Sequence, residues 1–358
     1  MLERFKVPVA DRVYVPVDEM RAATEAIFRA LDLSDEDAVQ ATDVLMFNDL
    51  RGVESHGVSN MLRTYVAWYR SGRLEARPEF TIEQETETTA TIDGGEGLGL
   101  HVAPRAMRMA IEKAKVRGMG AVGVHGVGHM GGAGYHAMMA LEHDMIGVAM
   151  SSSGSLQMVP TFAAEPRMGT NPLAWAVPAG KLPPFVFDVG TTQVAANKMR
   201  LARRVGAKIA PGWISDEHGT PIMEESDLPE NYFLLPLGST RELGSHKGYG
   251  LATVVDILCS VLTGLGPGFT ALEPGFHMMA LRIDAFTPIE QFKTHMDELL
   301  QGLMDTPPAP GHERVLYAGQ LEAEDEALRR AEGIPYHTEV IEWFRETEAE
   351  MGLDFSFT

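Results

Sequence analysis

The stretch HGVGHMGGAGYH, residues 125–136, sets Gly126, Gly128 and Gly131 in a G-x-G-x-x-G and places His129 inside it. An apolar run, AVGVHG, leads in, and AGYHAMMALEHD leads out with helical spacing. Two readings compete. In a Rossmann unit such glycines let the backbone approach a pyrophosphate at a helix N-terminus. Otherwise the imidazole is the functional group and the glycines are its setting. A Rossmann turn follows the first strand of its fold, and its second strand ends in a carboxylate. Here FTIEQETETTATIDGGEG, residues 80–97, already alternates like two half-exposed strands. The strand after the motif, MIGVAM, ends in Ser151-Ser152-Ser153, with neither a carboxylate nor a basic residue for a 2′-phosphate. The sequence reads against the Rossmann turn.

Working outward, the chain divides into three. Residues 1–78 are helical, in three segments. The first is VDEMRAATEAIFRALDL. The second, EDAVQATDVLMFNDLRG, starts at Ser34 with Asp37 three residues on and ends at Gly52. The third is NMLRTYVAWYRSGRL. Residues 79–287 alternate strands and helices and form a mixed α/β core. Within them VAANKMRLARRVG and GYGLATVVDILCSVLTGLG read as helices. Residues 288–358 return to helices that pack back on the N-terminal ones. The fold class is thus α/β (α+β), with a mixed-sheet core between N- and C-terminal helical regions.

The formal net charge of −20 argues against nucleic-acid and anionic-membrane partners, though not against a small anion in a basic pocket. The single cysteine, Cys259, lies in an apolar run and reads as a buried hydrophobe. The chain shows no signal peptide and no run of eighteen apolar residues, so the expected compartment is the cytoplasm.

Polar clusters gather at the ends of apolar segments. LRGVESHGVSN puts Ser55 and His56 past a helix end, where a hydroxyl can fix an imidazole's tautomer. In FDVGTTQVA, Asp188 ends a strand, and Gly190, Thr191 and Thr192 open a helix whose first N–H groups those hydroxyls could cap. In GSHKGYGLA, Lys247 stands at a helix N-terminus, where the macrodipole disfavours a cation unless an anion binds both. These stretches are expected to share one cleft. His125 and His129 are four apart, a ligand spacing on a helix, which keeps a metal-dependent hydrolase as an alternative. No spacing demands a metal.

Six segments in order resemble the malate/L-lactate dehydrogenase family of NAD(P)-dependent oxidoreductases: DLRGVESHGV, GHMGGAGYHAMMALEHDMIGVAMSSS, RMGTNPLAWAVP, PPFVFDVGTTQVA, HKGYGLATVVDILCSVLTG and PGHERVLYAGQ. The resemblance implies a homodimer with a non-Rossmann cofactor-binding fold and a helical domain formed from N- and C-terminal helices, acting with NAD or NADP on a small anionic 2-hydroxy or 2-oxo acid. By motif match it implies His56 and His129 as acid/base candidates. It puts Ser153, Asp188, Gly190, Thr191, Thr192, His246, Lys247, Gly311, His312 and Glu313 at cofactor positions. Several relatives read S-H-G-x-x-R where this chain has Asn60, which cannot clamp a carboxylate by charge. Ser55, Asn60 and Arg51 remain on the substrate side, with Arg51 or Arg63 to supply the charge. The same departure leaves open a relative that binds nucleotide without turnover.

Overall fold

A computed structural model describes residues 3–355 and 357. In chain order the elements are β1 (Arg12–Val15), α1 (Val17–Ala30), α2 (Asp35–Leu50), α3 (Val58–Arg70), β2 (Thr81–Glu85), β3 (Thr89–Gly97), α4 (Gly99–Arg117) and β4 (Met119–Val127). Then come α5 (Ala133–Met138), β5 (Met145–Ser151), β6 (Leu173–Val177), β7 (Phe185–Val189), α6 (Ala196–Val205), β8 (Ile214–Ser215) and β9 (Phe233–Leu234). The rest are α7 (Ser245–Asp256), α8 (Gly268–Ala271), β10 (Phe276–Arg282), α9 (Ile289–Met304), α10 (Gln320–Glu332), β11 (Ile334–His337) and α11 (Thr338–Met351).

The main sheet has seven strands in the order β2-β3-β4-β10-β5-β6-β7. Only β3 and β4 run parallel, joined through α4; every other pairing in it is antiparallel. β10 lies between β4 and β5, with Phe276 opposite both Val124 and Ser151. Strands on either side of the glycine motif are therefore not neighbours, and this is a mixed sheet rather than a doubly wound Rossmann one.

Local chemistry sets most helix limits. Ser34 accepts the Asp37 N–H at the start of α2, and three acidic side chains occupy its first turn. At its end Gly52 takes a left-handed φ of 72°, which glycine adopts without penalty.

Three cores result. Phe28, Leu45, Leu62 and Tyr65 of α1–α3 pack with Tyr336 of β11 and Phe344 of α11, while β1 pairs antiparallel with β11. α9 behaves differently: Asp297 accepts the N–H groups of Gly180, Lys181 and Leu182 at the β6–β7 turn. One face of the main sheet packs on α4 and α5 through residues such as Met107, Val122 and Met278. A third core gathers Phe5, Met158, Met199 and Ile214 around α6. On the other face of the sheet, Val255 and Cys259 cover Val148 and Met150.

Candidate active site

The helical core and the sheet meet where the α2–α3 connection touches the end of β4. His56 closes a short 3₁₀ turn, Glu54–His56, and its Nδ1 lies 2.9 Å from Ser55 Oγ. The turn is clamped from beneath. Asp49 accepts the Val58 N–H at 2.9 Å and the Tyr336 hydroxyl at 2.8 Å. Arg329 of α10 pairs with Glu54 at 2.8 Å and also donates to the Asp49 carbonyl. A Cβ at Gly57 would overlap the Asp49 carboxylate, so this position must be glycine for the turn to close. Burial pushes the Asp49 carboxyl up to about 7, against the pull of its Tyr336 hydrogen bond.

His129 stands just beyond β4, its ring stacked on that of His56 with centroids 5.7 Å apart and planes 15° from parallel. Its Nδ1 receives the Gly131 N–H at 3.2 Å and lies 2.7 Å from the Tyr65 hydroxyl. A backbone N–H can only donate, so Nδ1 of the neutral ring is an acceptor and Nε2 bears the hydrogen. Burial raises the Tyr65 pKa, which keeps that hydroxyl a donor. Burial also holds both imidazoles neutral: His56 falls to about 4, helped by the charge of Lys198, and His129 to about 3, helped by His56 and Arg200.

Asp188, in β7, accepts the Gly134 N–H of α5 at 2.7 Å. Solvent reaches this residue, yet enough protein surrounds the carboxyl to push it up to about 6. The start of α5, which a Rossmann reading would reserve for phosphate, is thus taken by a carboxylate of the protein itself.

A profile of the malate/L-lactate dehydrogenase family matches residues 15–345. Malate dehydrogenase from Pyrococcus abyssi is 36% identical over 349 residues, covering 95% of this chain and 96% of that one. Ureidoglycolate dehydrogenase (NAD(+)) from Escherichia coli K12 is 31% identical over 312 residues, covering 84% and 86%. The solved structure of malate dehydrogenase from Pyrococcus horikoshii superimposes with a TM-score of 0.89 at 32% identity, over 98% of this chain and 99% of that one. The chain belongs to the malate/L-lactate dehydrogenase family.

Against the sequence expectations for this family member, the structure sorts the candidate residues. Ser55, His56 and His129 come together, and Asp188 is tied to Gly134 at the start of α5, five residues after His129. Asn60 is buried and spends its amide on the carbonyls of Ser55, at 3.0 Å, and Asn197, at 3.4 Å, tying the His56 turn to α6. Arg51 is committed to Glu326 at 3.0 Å, and Arg63 to Glu339 at 3.0 Å. Ser153 follows β5, its N–H donated to Asn171.

Thr191 and Thr192 correct an expectation. They do not cap α6, which starts at Ala196 behind Ala195 with no side-chain cap. Their hydroxyls donate instead to carbonyls of Thr170, Asn171 and Val194, fixing the strand exit after Gly190. Lys247 does fall in the first turn of α7, exposed and lying over Gly244, while His246 is exposed beside Arg241. Leu237 links that turn to the threonines: it packs on Gly248 and donates its N–H to Thr191. Gly311, His312 and Glu313 are exposed in the segment between α9 and α10.

His125 lies within strand β4 and pairs with Glu83 at 2.8 Å, while His129 stacks on His56; the two are not a ligand pair on one helix. Among the described residues no group of three His, Cys, Asp or Glu is placed to hold a metal ion. A hollow of about 530 Å³, lined by Thr161, Phe162, His218, Arg241 and Ser245 among others, does not include the histidine pair.

Two participants escaped the sequence reading. Tyr65 looks like one more apolar-face residue of α3, and Lys198 like one of several charges on α6. Neither carries a local signal that marks it.

Proposed function

We propose that this protein catalyses reversible hydride transfer between NAD or NADP and C2 of a small 2-hydroxy or 2-oxo acid, malate- or lactate-like. The observation that carries this reading is the stacked pair of neutral imidazoles, one locked in a single tautomer and the other resting on a hydroxyl. The printed activities of the Pyrococcus abyssi and Escherichia coli relatives support it. The residues present suit a nicotinamide: Asp188 spends one carboxylate oxygen on Gly134 N–H and offers the other to a carboxamide. Lys247, exposed at a helix start, suits a phosphate. Bound there, the cofactor supplies the hydride acceptor or donor.

The chain's own task is to place the acid and handle one proton. His56 is the proton carrier. With its Nδ1–H donated to Ser55, its Nε2 takes the hydroxyl proton during oxidation and returns it during reduction. Nδ1 keeps its hydrogen in both states, so the Ser55 hydroxyl accepts from it throughout. His129 keeps its Nε2–H and donates it to the substrate oxygen, holding C2 in register. Purified protein assayed with NADH and NADPH against oxaloacetate, pyruvate and related acids tests this reading. No oxidation of either cofactor across the panel overturns it.

A homodimer belongs to the same proposal. Leu251, Val254, Ile257, Val261 and Leu262 form an apolar stripe on the outer side of α7 and the π-helical turn after it, each at least 45% exposed. A Val254→Glu/Ile257→Glu variant is expected to sediment as a monomer where the parent sediments as a dimer. A monomeric parent removes this part.

A further inference from the structure

The histidine site faces an electrostatic problem. A chain of net charge −20 is to bind an anionic acid, and the family's arginine position holds Asn60. The arginines nearby are all engaged. Arg51 pairs with Glu326, Arg63 and Arg204 with Glu339, and Arg329 with Glu54. Arg200 is exposed and donates to Thr64.

Lys198 differs from them. It sits in the first turn of α6, the helix that Asn60 ties to the His56 turn through the neighbouring Asn197 carbonyl. Asn197 also reaches Met61 of α3. The half-buried side chain of Lys198 has no hydrogen bond or ion pair among the described residues. Its ammonium stands close enough to His56 to depress that ring's pKa, and burial lowers its own against the opposing charge of Glu322, which does not bond to it. Enclosing a cation without a partner is costly, and the cost is relieved when an anion completes the pair.

We infer that Lys198 is the cation that receives the substrate carboxylate, replacing from α6 the arginine missing at Asn60. The identity of the ligand as a 2-oxo acid rests on the dehydrogenase reading above; the lysine's anion-binding role does not. The arrangement fixes the acid at its carboxylate while the two imidazoles face its C2 oxygen. Lys198 is a point charge, so it suits a carboxylate without the bidentate geometry an arginine imposes.

The test uses Lys198→Met and Lys198→Arg enzyme loaded with NADH, and oxalate, which hydride transfer cannot consume, as the probe. For Lys198→Met, oxalate Kd and 2-oxo-acid KM should both rise about 10- to 150-fold, the range of a charge-assisted hydrogen bond. NADH affinity should change little, and Lys198→Arg should recover most of the loss. Unchanged oxalate binding in Lys198→Met overturns the inference, as does weakened NADH binding with oxalate unaffected, or failure of the parent to bind oxalate. Oxalate binding that depends on Lys198 in a parent without turnover sinks the dehydrogenase reading and leaves the lysine's role standing. Should the Met variant not fold, Lys198→Gln keeps the polar tip and serves in its place.

Discussion

The two histidine turns face each other but hold their rings by different means. His129 is fixed by groups with no choice of role, a backbone N–H from Gly131 and a phenol whose proton burial retains. His56 touches a hydroxyl that can serve either way, while its backbone is the rigid part, clamped by Asp49, Glu54 and Arg329. One turn fixes the ring and the other fixes the chain beneath a ring left free to exchange a proton. Such a division suits one hydrogen-bond donor and one proton carrier better than two interchangeable bases.

The largest effect is expected at the exchanging ring. His56→Ala should lower kcat by roughly 10²- to 10⁴-fold and flatten the pH–rate profile. If His129→Ala flattens that profile and His56→Ala does not, the roles are reversed; near-native turnover in both removes the rings from the chemistry.

The clamp beneath His56 gives the next effect, on stability. Asp49 has a folded pKa near 7 against 3.8 for an ordinary carboxyl, so the folded state holds the extra proton between those values. Stability from this group is lost as pH rises from 4 through 7. Urea titrations should therefore show Asp49→Asn gaining on the parent across that range, by up to roughly 4 kcal/mol. A difference independent of pH would show that Asp49 ionises freely. The imidazoles act in the opposite direction: their folded values near 4 and 3 make their share of stability complete above about 6.5 and lost as pH falls.

His129→Ala should cost about a hundredfold in kcat/KM, the scale of one donor lost from a developing charge, with the pH profile retained. Tyr65→Phe removes one of two bonds to Nδ1 and should cost about fivefold. A larger loss for Tyr65→Phe than for His129→Ala would make the phenol itself part of the proton path.

Local chemistry made much of this readable in advance. Ser34 and Asp37 start α2, Gly52 ends it, and the alternation in residues 80–97 becomes β2 and β3. The polar stretches carrying Ser55, His56 and His129 stood out because glycines brackets them in otherwise apolar company. The pairing of β1 with β11 did not, since four-residue strands more than three hundred positions apart leave no periodicity to read. Nor could the threonines at 191 and 192 be separated from helix caps, because a hydroxyl bonds a distant carbonyl as readily as a near N–H.

By itself the sequence determined the elements and the polar segments between them, because caps, turns and hydrophobic periods act across a few neighbouring residues. Tertiary structure decided which charges are left over. Whether Arg51 can greet an anion depends on where Glu326 comes to rest, and that carboxylate lies 275 positions from Arg51. Electrostatic attraction acts through space without regard to chain order, so the assignment of partners becomes readable only once the chain has closed on itself.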